Sequence, residues 1–457
     1  MKSTIILILL ISSSITKNQE IQNLRRLQPG GTSTNSYSYS SISATQSITT
    51  TGQTISSDLT ASAADTSVVY VSSSGSVTIG TNTMSKTGGA SSNTENSEFY
   101  GVNAAILVNG GSATLTGTTV TTAATGANAV FATNSGTITI NGGTITSTGS
   151  SSARGLDATY GGKITASGLT ITTQGGSCAS LATDRGEGTV SCTSCTLTTN
   201  GAGSPVIYST GAISITSSTG TANGAQMVVV EGKNSATVKS STLKCTGVGN
   251  RNNVDKCGVM IYQSQSGDAD DGNGSFTASD STMEILSTSS VYSTAPMFFV
   301  TNTEATITLS NVTFTYGSGI FIDIEGTSEW GTSGSNGGDV TMTVTGQTIV
   351  GDIVVDDYSS LTLNLKSSSS FKGKFNSAKS SGTINIALDS TSKITLTGDS
   401  TINQLTNSDS SGNNINTGDY TLTSDDSSGS GNGSGSDGKA NYLQFYVLNL
   451  LLIIMIL

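Results

Sequence analysis

A repeat of short alternating segments constrains this chain more than any other feature. Six segments align, each with apolar residues alternating with Thr, Ser or Asn, and their central residues lie 23 to 26 positions apart. These central residues are Leu115, Ile140, Ala166, Cys192, Ile215 and Val238. Most segments are followed by a second alternating piece, such as Thr119-Val120-Thr121, and preceded by an apolar patch, such as Ala105–Val108. Period-two patterning between Gly, Asn and Ser turns predicts up to three short strands per unit.

The repeat predicts an all-β solenoid. One unit cannot bury its inward-facing Ile, Val and Leu side chains alone, whereas stacked units bury them in one continuous column. Because parallel crossovers are right-handed, the expected fold is a right-handed parallel β-helix over residues 65–422. We expect about 14 coils and a rod of roughly 65 Å at the usual strand spacing. Residues 17–64 are expected to be either partly disordered or an N-terminal cap, and residues 423–438 a flexible Ser/Gly stalk.

The C-terminal part of the repeat carries the clearest resemblance to a known family. The segments Ser360–Leu365, Gly382–Leu388 and Ile394–Ser400, each counted as one of the last coils, are similar to the closing coils of many bacterial cell-surface β-helix proteins. The tandem coils as a whole resemble the right-handed parallel β-helices of pectate-lyase-like surface proteins and adhesins. This resemblance implies the fold and display at a cell surface, and implies no chemistry by itself.

Both ends of the chain have the pattern of removable signals. Residues 1–16 join a basic start to a short apolar core and small polar residues, which is typical of a secretory signal peptide. Residues 439–457 end in an apolar tail that follows a Ser/Gly/Asn spacer, the pattern of a glycosylphosphatidylinositol (GPI) attachment signal. The attachment candidate is Ser434. We therefore expect the mature protein on the extracellular face of the plasma membrane, with the lipid anchor as its only membrane contact.

Charge excludes several partners and chemistries. The formal net charge is −11 and the chain contains no His. Nucleic acid and anionic membrane surfaces are disfavoured, because both require basic patches. The sequence predicts no cofactor and no metal.

Five cysteines lie in the part of the chain expected to be secreted, where disulfides are favoured. Cys245 and Cys257 bracket a short segment and are expected to pair, while Cys178 pairs with Cys192 or Cys195 and leaves one thiol free. Cys192 and Cys195 form a C-x-x-C motif. A redox motif requires a βαβ context and a zinc site a second ligand pair, and neither is present.

Acidic residues offer two candidate sites. Asp352, Asp356 and Asp357 lie near Tyr358, and paired carboxylates about 5–10 Å apart can hydrolyse a glycoside. The loop with Glu329 and Trp330 supplies the one strong sugar platform expected from the sequence. The alternative is that these acids are turn residues between coils. The segment 268–273 has some features of a calcium loop, but Gly272 occupies a ligand position, which favours a solvated acidic loop.

Two further patterns concern the surface. Asn273, Asn311 and Asn432 each begin an N-glycosylation sequon. The Thr-x-Thr pieces recur once per coil and predict two parallel files of Thr, of which the second breaks at Lys244. Such regular ladders resemble those with which several ice-binding proteins order water. The alternative is that Thr simply suits exposed strand positions.

Three functions follow as hypotheses. The first is a structural or adhesive GPI-anchored surface protein that contacts carbohydrate or protein through its long lateral faces. The second is a polysaccharide lyase or glycoside hydrolase on the same fold, and the third, a minor alternative, is an ice-binding protein. A shared concave face for Asp352, Asp356, Asp357 and Glu329 would favour the enzyme.

Overall fold

The computed structural model describes residues 37–376 and 382–424. This part of the chain is all-β, and every strand pairing in it is parallel. Its helical elements are a 3-10 turn (Tyr39–Ser41) and helix α1 (Thr94–Tyr100). The side chain of Asn93 caps α1 by accepting the Asn96 N–H at 3.1 Å. Gly101 ends the helix at φ 71°, packed so closely on Phe131 that a Cβ atom there would lie 2.5 Å from the ring.

The strands are short and regular. The first nineteen are β1 (Ser43–Ile48), β2 (Gln53–Ile55), β3 (Leu59–Ala61), β4 (Thr66–Val71), β5 (Ser76–Ile79), β6 (Thr83–Lys86), β7 (Ile106–Asn109), β8 (Ser112–Thr116), β9 (Thr119–Thr122), β10 (Val130–Thr133), β11 (Thr137–Ser147), β12 (Leu156–Ala158), β13 (Lys163–Thr173), β14 (Leu181–Thr183), β15 (Thr189–Thr193), β16 (Thr196–Thr199), β17 (Ile207–Ser209), β18 (Ala212–Thr216) and β19 (Thr219–Ala222). The others are β20 (Val228–Glu231), β21 (Ser235–Lys239), β22 (Thr242–Cys245), β23 (Val259–Tyr262), β24 (Asn273–Ile285), β25 (Phe298–Thr301), β26 (Glu304–Thr315), β27 (Ile320–Ile324), β28 (Asp339–Thr345), β29 (Thr348–Val350), β30 (Asp352–Val355), β31 (Ser360–Lys366), β32 (Ser370–Gly373), β33 (Thr383–Leu388), β34 (Lys393–Leu396), β35 (Ser400–Ile402), β36 (Gln404–Asn407), β37 (Ile415–Asn416) and β38 (Leu422–Ser424).

The predicted apolar patches form one twelve-stranded sheet, here called the first sheet. Its order is β1-β4-β7-β10-β12-β14-β17-β20-β23-β25-β27-β30, so each strand pairs with its counterpart in the next sequence unit. Between two neighbouring strands of this sheet, the chain forms the other strands of the unit before it returns. The strand order therefore indicates that the chain follows the same path in each unit.

The alternating segments form a second set of parallel ladders, and their register agrees with the sequence alignment. Leu115 is paired with Ile140, and Ile140 with Ala166. The column continues through Cys192, Ile215 and Val238. All six predicted central residues therefore face one another in neighbouring units.

Long strands join two ladders into a closed ring. Strand β13 pairs through its first half with β15 and through its second half with β16, and β24 does the same with β21 and β22. The ring of parallel pairings is β13-β15-β18-β21-β24-β22-β19-β16. A single strand can serve both ladders because it continues through the corner at Gly168, where φ is 61°.

One predicted coil near the C-terminus is wrong. Residues 394–398 do not begin a coil of their own, because β34 pairs with β32 while β33 pairs with β31. Strands β33 and β34 are thus two strands of the same unit. Their separation of about ten residues is too short for a complete turn of this chain, whose regular units need 23 to 26.

The ladders start earlier than residue 65. Within the segment predicted as disordered or as a cap, β1, β2 and β3 pair with β4, β5 and β6. The expected signal peptide, the anchor signal with Ser434 and the sequon at Asn432 lie outside the described residues, as does almost all of the expected stalk.

The interior is a single hydrophobic cluster that runs from Ile48 to Ile415. Strand residues alternate between buried and exposed. At the start of β11, for example, Ile138 and Ile140 are buried and Thr137 and Thr139 are exposed. In the second half of the chain four phenylalanines pack edge to face, with ring centroids 5.3–5.8 Å apart. They are Phe276, Phe298, Phe314 and Phe321. The continuous column means that each unit is stabilised mainly by its two neighbours.

The outer side of the first sheet is covered by inserted segments. At one end the chain around Tyr39 packs on Leu107 and Phe131, and the Tyr39 hydroxyl donates to the Tyr100 carbonyl of helix α1 at 3.0 Å. Toward the other end Trp330, which lies between β27 and β28, packs in one cluster with Phe299 and with Tyr262 of β23. Outward-facing residues in the middle of this sheet are therefore buried, whereas Val354 of the edge strand β30 is 37% exposed.

Candidate functional site

The most regular exposed surface is formed by the Thr-x-Thr strands and is called the threonine face. In five consecutive units the first Thr of each piece pairs with the first Thr of the next, and the second with the second. The ten residues are Thr119, Thr121, Thr144, Thr146, Thr170, Thr172, Thr196, Thr198, Thr219 and Thr221. The residues between them are buried, so the two files lie on one side of the sheet.

The threonine face is uncharged and carries hydroxyl groups at fixed intervals. Neighbouring units are about 4.8 Å apart, and residues i and i+2 of one strand about 6.6 Å. A third file beside the threonines contains amides: Asn200 donates to Gln174 Oε1 at 3.0 Å, and Asn223 donates to Asn200 Oδ1 at 2.7 Å. The whole face can donate and accept hydrogen bonds in a repeating pattern.

The second threonine file ends where the sequence predicts. Thr221 is paired with Lys244, and Lys244 with Glu284. Lys244 Nζ lies 2.8 Å from Glu284 Oε2, so a surface ion pair replaces the hydroxyls of the second file in these two units.

A second candidate, called the carboxyl cluster, lies on the outer side of the first sheet and consists of Asp323, Glu325 and Asp356. Asp323 and Glu325 alternate with buried Ile322 and Ile324, and Asp356 follows the neighbouring strand β30. Burial raises the pKa of Asp323 to about 7, with further contributions from the charges of Glu325 and Asp356. Burial and Asp356 also raise the pKa of Glu325.

A half-buried acid of this kind can act as a general acid near neutral pH. Asp323 Oδ1 is buried and has no hydrogen-bond partner among the residues described. Sequence analysis missed Asp323 and Glu325. The signal was the alternation of Ile322-Asp323-Ile324-Glu325, which puts two acids side by side on one face of a strand.

The acids singled out from sequence are not one constellation of free carboxylates. Asp356 belongs to the carboxyl cluster and accepts the Gly326 N–H at 2.8 Å. Asp352 accepts the Lys374 N–H at 3.2 Å and lies 3.5 Å from its Nζ. Asp357 and Glu329 are exposed.

Trp330 is not an exposed sugar platform. Its side chain is 7% exposed and packs edge to face on Tyr262 at 5.2 Å. The exposed aromatic of this region is Tyr358, at 52%.

Two acids of the 268–273 loop form ion pairs with basic side chains. Asp268 contacts Arg185 at 2.9 Å, and Asp270 contacts Lys233 at 2.9 Å. In residues 37–376 and 382–424 no group of three or more His, Cys, Asp or Glu side chains is arranged to hold a metal ion.

The predicted disulfide pairing is corrected by the structure. Cys192 is bonded to Cys195, with Cα atoms 6.0 Å apart, while Cys178, Cys245 and Cys257 are buried thiols. The bond joins the end of β15 to the start of β16 across one corner. The two bonded cysteines are only three residues apart in sequence, whereas the sequence analysis expected pairs of more widely separated cysteines.

Cys178 occupies the place of a serine in a corner ladder. Its Sγ accepts the Ala153 N–H at 3.1 Å and donates to the Gly176 carbonyl, and in the next unit Ser204 Oγ accepts the Cys178 N–H at 2.9 Å. At another corner Ser218, Ser241 and Ser281 repeat this arrangement. The thiol therefore supplies hydrogen-bond partners to two backbone groups, the Ala153 N–H and the Gly176 carbonyl. Burial raises the pKa of this thiol.

Two predicted glycosylation sites are accessible. The Asn311 side chain is exposed and donates to Asp280 Oδ1 at 2.9 Å, and exposed Asn273 donates to Thr306 Oγ1 at 3.0 Å. Neither bond buries the amide.

The described part of the chain contains no helix that is long and apolar enough to cross a membrane. Comparisons with protein-family models, with curated proteins and with solved structures found no match.

Proposed function

We propose that this chain is a GPI-anchored extracellular protein, structural or adhesive, built as a right-handed parallel β-helix. The fold proposal is supported by parallel pairing at intervals of 23 to 26 residues over the regular units. The closed ring of pairings is then the result of long strands that turn a corner of the helix. The right hand follows from the handedness of parallel crossovers.

The threonine face carries the binding proposal. Ten aligned threonines with an amide file beside them offer a repeated set of donors and acceptors without charge. Polysaccharides offer hydroxyl groups at regular intervals, so we propose carbohydrate as the partner. Many weak contacts over successive units would add to a useful affinity.

Anchoring is tested on intact cells. Treatment with a phosphatidylinositol-specific phospholipase should release the protein into the medium. If detergent is still needed after complete digestion, the anchor proposal is wrong.

Binding is tested with matched surface variants on a polysaccharide array. The double variant Thr170→Arg/Thr196→Arg disrupts the threonine face, while Thr139→Arg/Thr165→Arg makes the same change at exposed, paired positions on the adjacent face. We expect the first pair to weaken binding at least about tenfold, since lost hydrogen bonds and obstructed contact affect several units. Equal losses in both variants would exclude the threonine face as the binding surface.

A second candidate function is glycoside cleavage at the carboxyl cluster. The supporting observation is the buried, unpartnered Oδ1 of Asp323 beside Glu325 and Asp356. Asp323 would protonate the leaving oxygen, and Glu325 or Asp356 would act as base or nucleophile. Polysaccharide turnover that is unchanged in Asp323→Asn would exclude this site.

A further inference from the structure

Beneath helix α1 lies a buried charged group, here called the Arg154 cluster. Arg154 Nη1 is 2.8 Å from Asp157 Oδ2 and 2.6 Å from Asp184 Oδ2. Arg154 Nη2 is 3.8 Å from Glu98 Oε1, which belongs to α1. Asp157 and Asp184 are 0% and 2% exposed, so these charges are shielded from water.

The Arg154 cluster contains more acids than it can neutralise. Three carboxyl groups share one guanidinium, and the adjacent Arg185 is already paired with Asp268 at 2.9 Å. Asp157 Oδ1 has no hydrogen-bond partner among the residues described. A buried carboxylate without compensation is costly, and a bound proton removes that cost.

The electrostatics agree with the geometry. Burial raises the pKa of Asp157 to about 6, against the opposing attraction of Arg154. Burial also raises the pKa of Asp184, and the charges of Asp157, Asp268 and Glu98 add to the effect. Four other titratable groups lie around the cluster. Tyr208 has its ring 5.9 Å from the Arg154 guanidinium carbon, and its hydroxyl donates to Glu231 at 2.7 Å. The Cys178 thiol is the third, and Tyr160, beside Arg185 and stacked on Tyr100 of α1 at 5.7 Å, is the fourth.

Helix α1 depends on its contacts with the rest of the protein because it has only seven residues. Helices of this length are not stable in isolation. Besides the Glu98 contact, the Phe99 ring lies 3.8 Å from the Arg185 guanidinium, and the Phe99 carbonyl accepts from Thr159 Oγ1 at 2.9 Å. The helix is also held by contacts that carry no charge: the Tyr100 ring stacks on Tyr160 at 5.7 Å, and Asn128 Nδ2 donates to the Ser97 carbonyl at 2.9 Å. The Glu98–Arg154 contact is one anchor among several, and it is the one that depends on the charge of the Arg154 cluster.

We propose that α1 is a pH-sensitive flap over the first sheet, closed when the Arg154 cluster holds a proton and loosened when Asp157 and Asp184 ionise. Ionised Asp157 and Asp184 occupy Arg154 fully and repel Glu98, which weakens the charge-dependent contact between the helix and the sheet. The closed state binds the proton more tightly than the open, hydrated state. Closure is thus strongest in acid and weakens as pH rises from about 4 through about 6.

The coupling between the helix and the cluster runs through Glu98. Its charge adds to the rise in the pKa of Asp157, whose first cause is burial, and that added part is lost when α1 opens. Opening would expose Ser97 and Phe99, which are 0% and 5% exposed in the closed state.

Hydrogen exchange of the full-length protein, followed by mass spectrometry, tests the flap. After correction for intrinsic exchange rates, protection of residues 94–100 should fall at least about tenfold more between about pH 5 and about pH 8 than protection of strand β11. Equal changes in the two segments would overturn the proposal.

Two matched variants on the helix separate the flap from a general effect of pH. Glu98→Gln removes the repelled charge and should make protection of α1 nearly independent of pH. Glu95→Gln changes an exposed acid of the same helix and should leave the wild-type pH dependence unchanged. Equal behaviour of the two variants would also overturn the proposal. Because neither substitution adds a buried charge, both proteins are expected to fold.

Discussion

A matched pair of substitutions at adjacent positions tests the register of the core. Ile140 is 2% exposed and lies in the column between Leu115 and Ala166. Replacing it with Asp removes a buried apolar side chain, at about 2–5 kcal/mol, and buries a carboxyl group, at about 1–3 kcal/mol even when neutral. The expected loss of about 3–8 kcal/mol is comparable with the whole stability of many domains, about 5–15 kcal/mol.

Thr139 is the control because its side chain points outward. Its cross-strand neighbours Thr114 and Thr165 carry no charge, so Thr139→Asp should cost within about 0.5 kcal/mol. Urea unfolding monitored by circular dichroism gives both losses, and hydrogen exchange should show that the damage from Ile140→Asp starts in strands β8, β11 and β13. Equal losses of stability at the two positions would refute the register and the inward direction of Ile140.

Three further outcomes are expected. Asp323→Asn should stabilise the protein at about pH 8, on the order of 2–4 kcal/mol, and leave its stability unchanged at about pH 4. The reason is that the pKa of Asp323 is raised to about 7 in the folded state, so the unsubstituted protein loses stability as pH rises from about 4 to about 7. The same difference between the denaturation curves of the two proteins at both pH values would contradict this. Cys178→Ser should change the melting temperature by no more than a few degrees, since a hydroxyl can make the same two ladder bonds, whereas Cys178→Val should destabilise markedly by leaving the Ala153 N–H unpaired. Asn311→Gln should remove one glycan from the protein secreted by eukaryotic cells, as read from the mass before and after glycosidase treatment, and an unchanged mass would show that this sequon is unused.

The regular part of the fold was predictable because a single constraint governs it. Each unit must place an apolar residue at the same position in the column, so aligning Leu115 with Ile140 in sequence also aligns them in space. The break of the threonine file at Lys244 was predictable for the same reason. Where two strands of one unit have similar patterns, as in β33 and β34, pattern alone could not separate them, because both alternate with period two.

The Arg154 cluster was less accessible from sequence than the threonine face because its residues come from separate parts of the chain. It joins Glu98 of helix α1 to Arg154, Asp157 and Asp184, which lie in or beside β12 and β14, and no spacing rule relates Glu98 to Asp184. The cysteines show the same limit. Only the ladder geometry reveals that Cys178 acts as a hydroxyl substitute, and only proximity reveals the Cys192–Cys195 bond.

The stacking of units also has a mechanical consequence. The backbone hydrogen bonds within each ladder join neighbouring units and run along the stack, so tension applied along the stack would pull on them along their length, one interface at a time. The Cys192–Cys195 bond lies within one unit and does not tie neighbours together. Each unit that peels away would release about 80–90 Å of extended chain. A protein built in this way would lengthen under force in steps, one unit at a time, while the remaining units keep their shape.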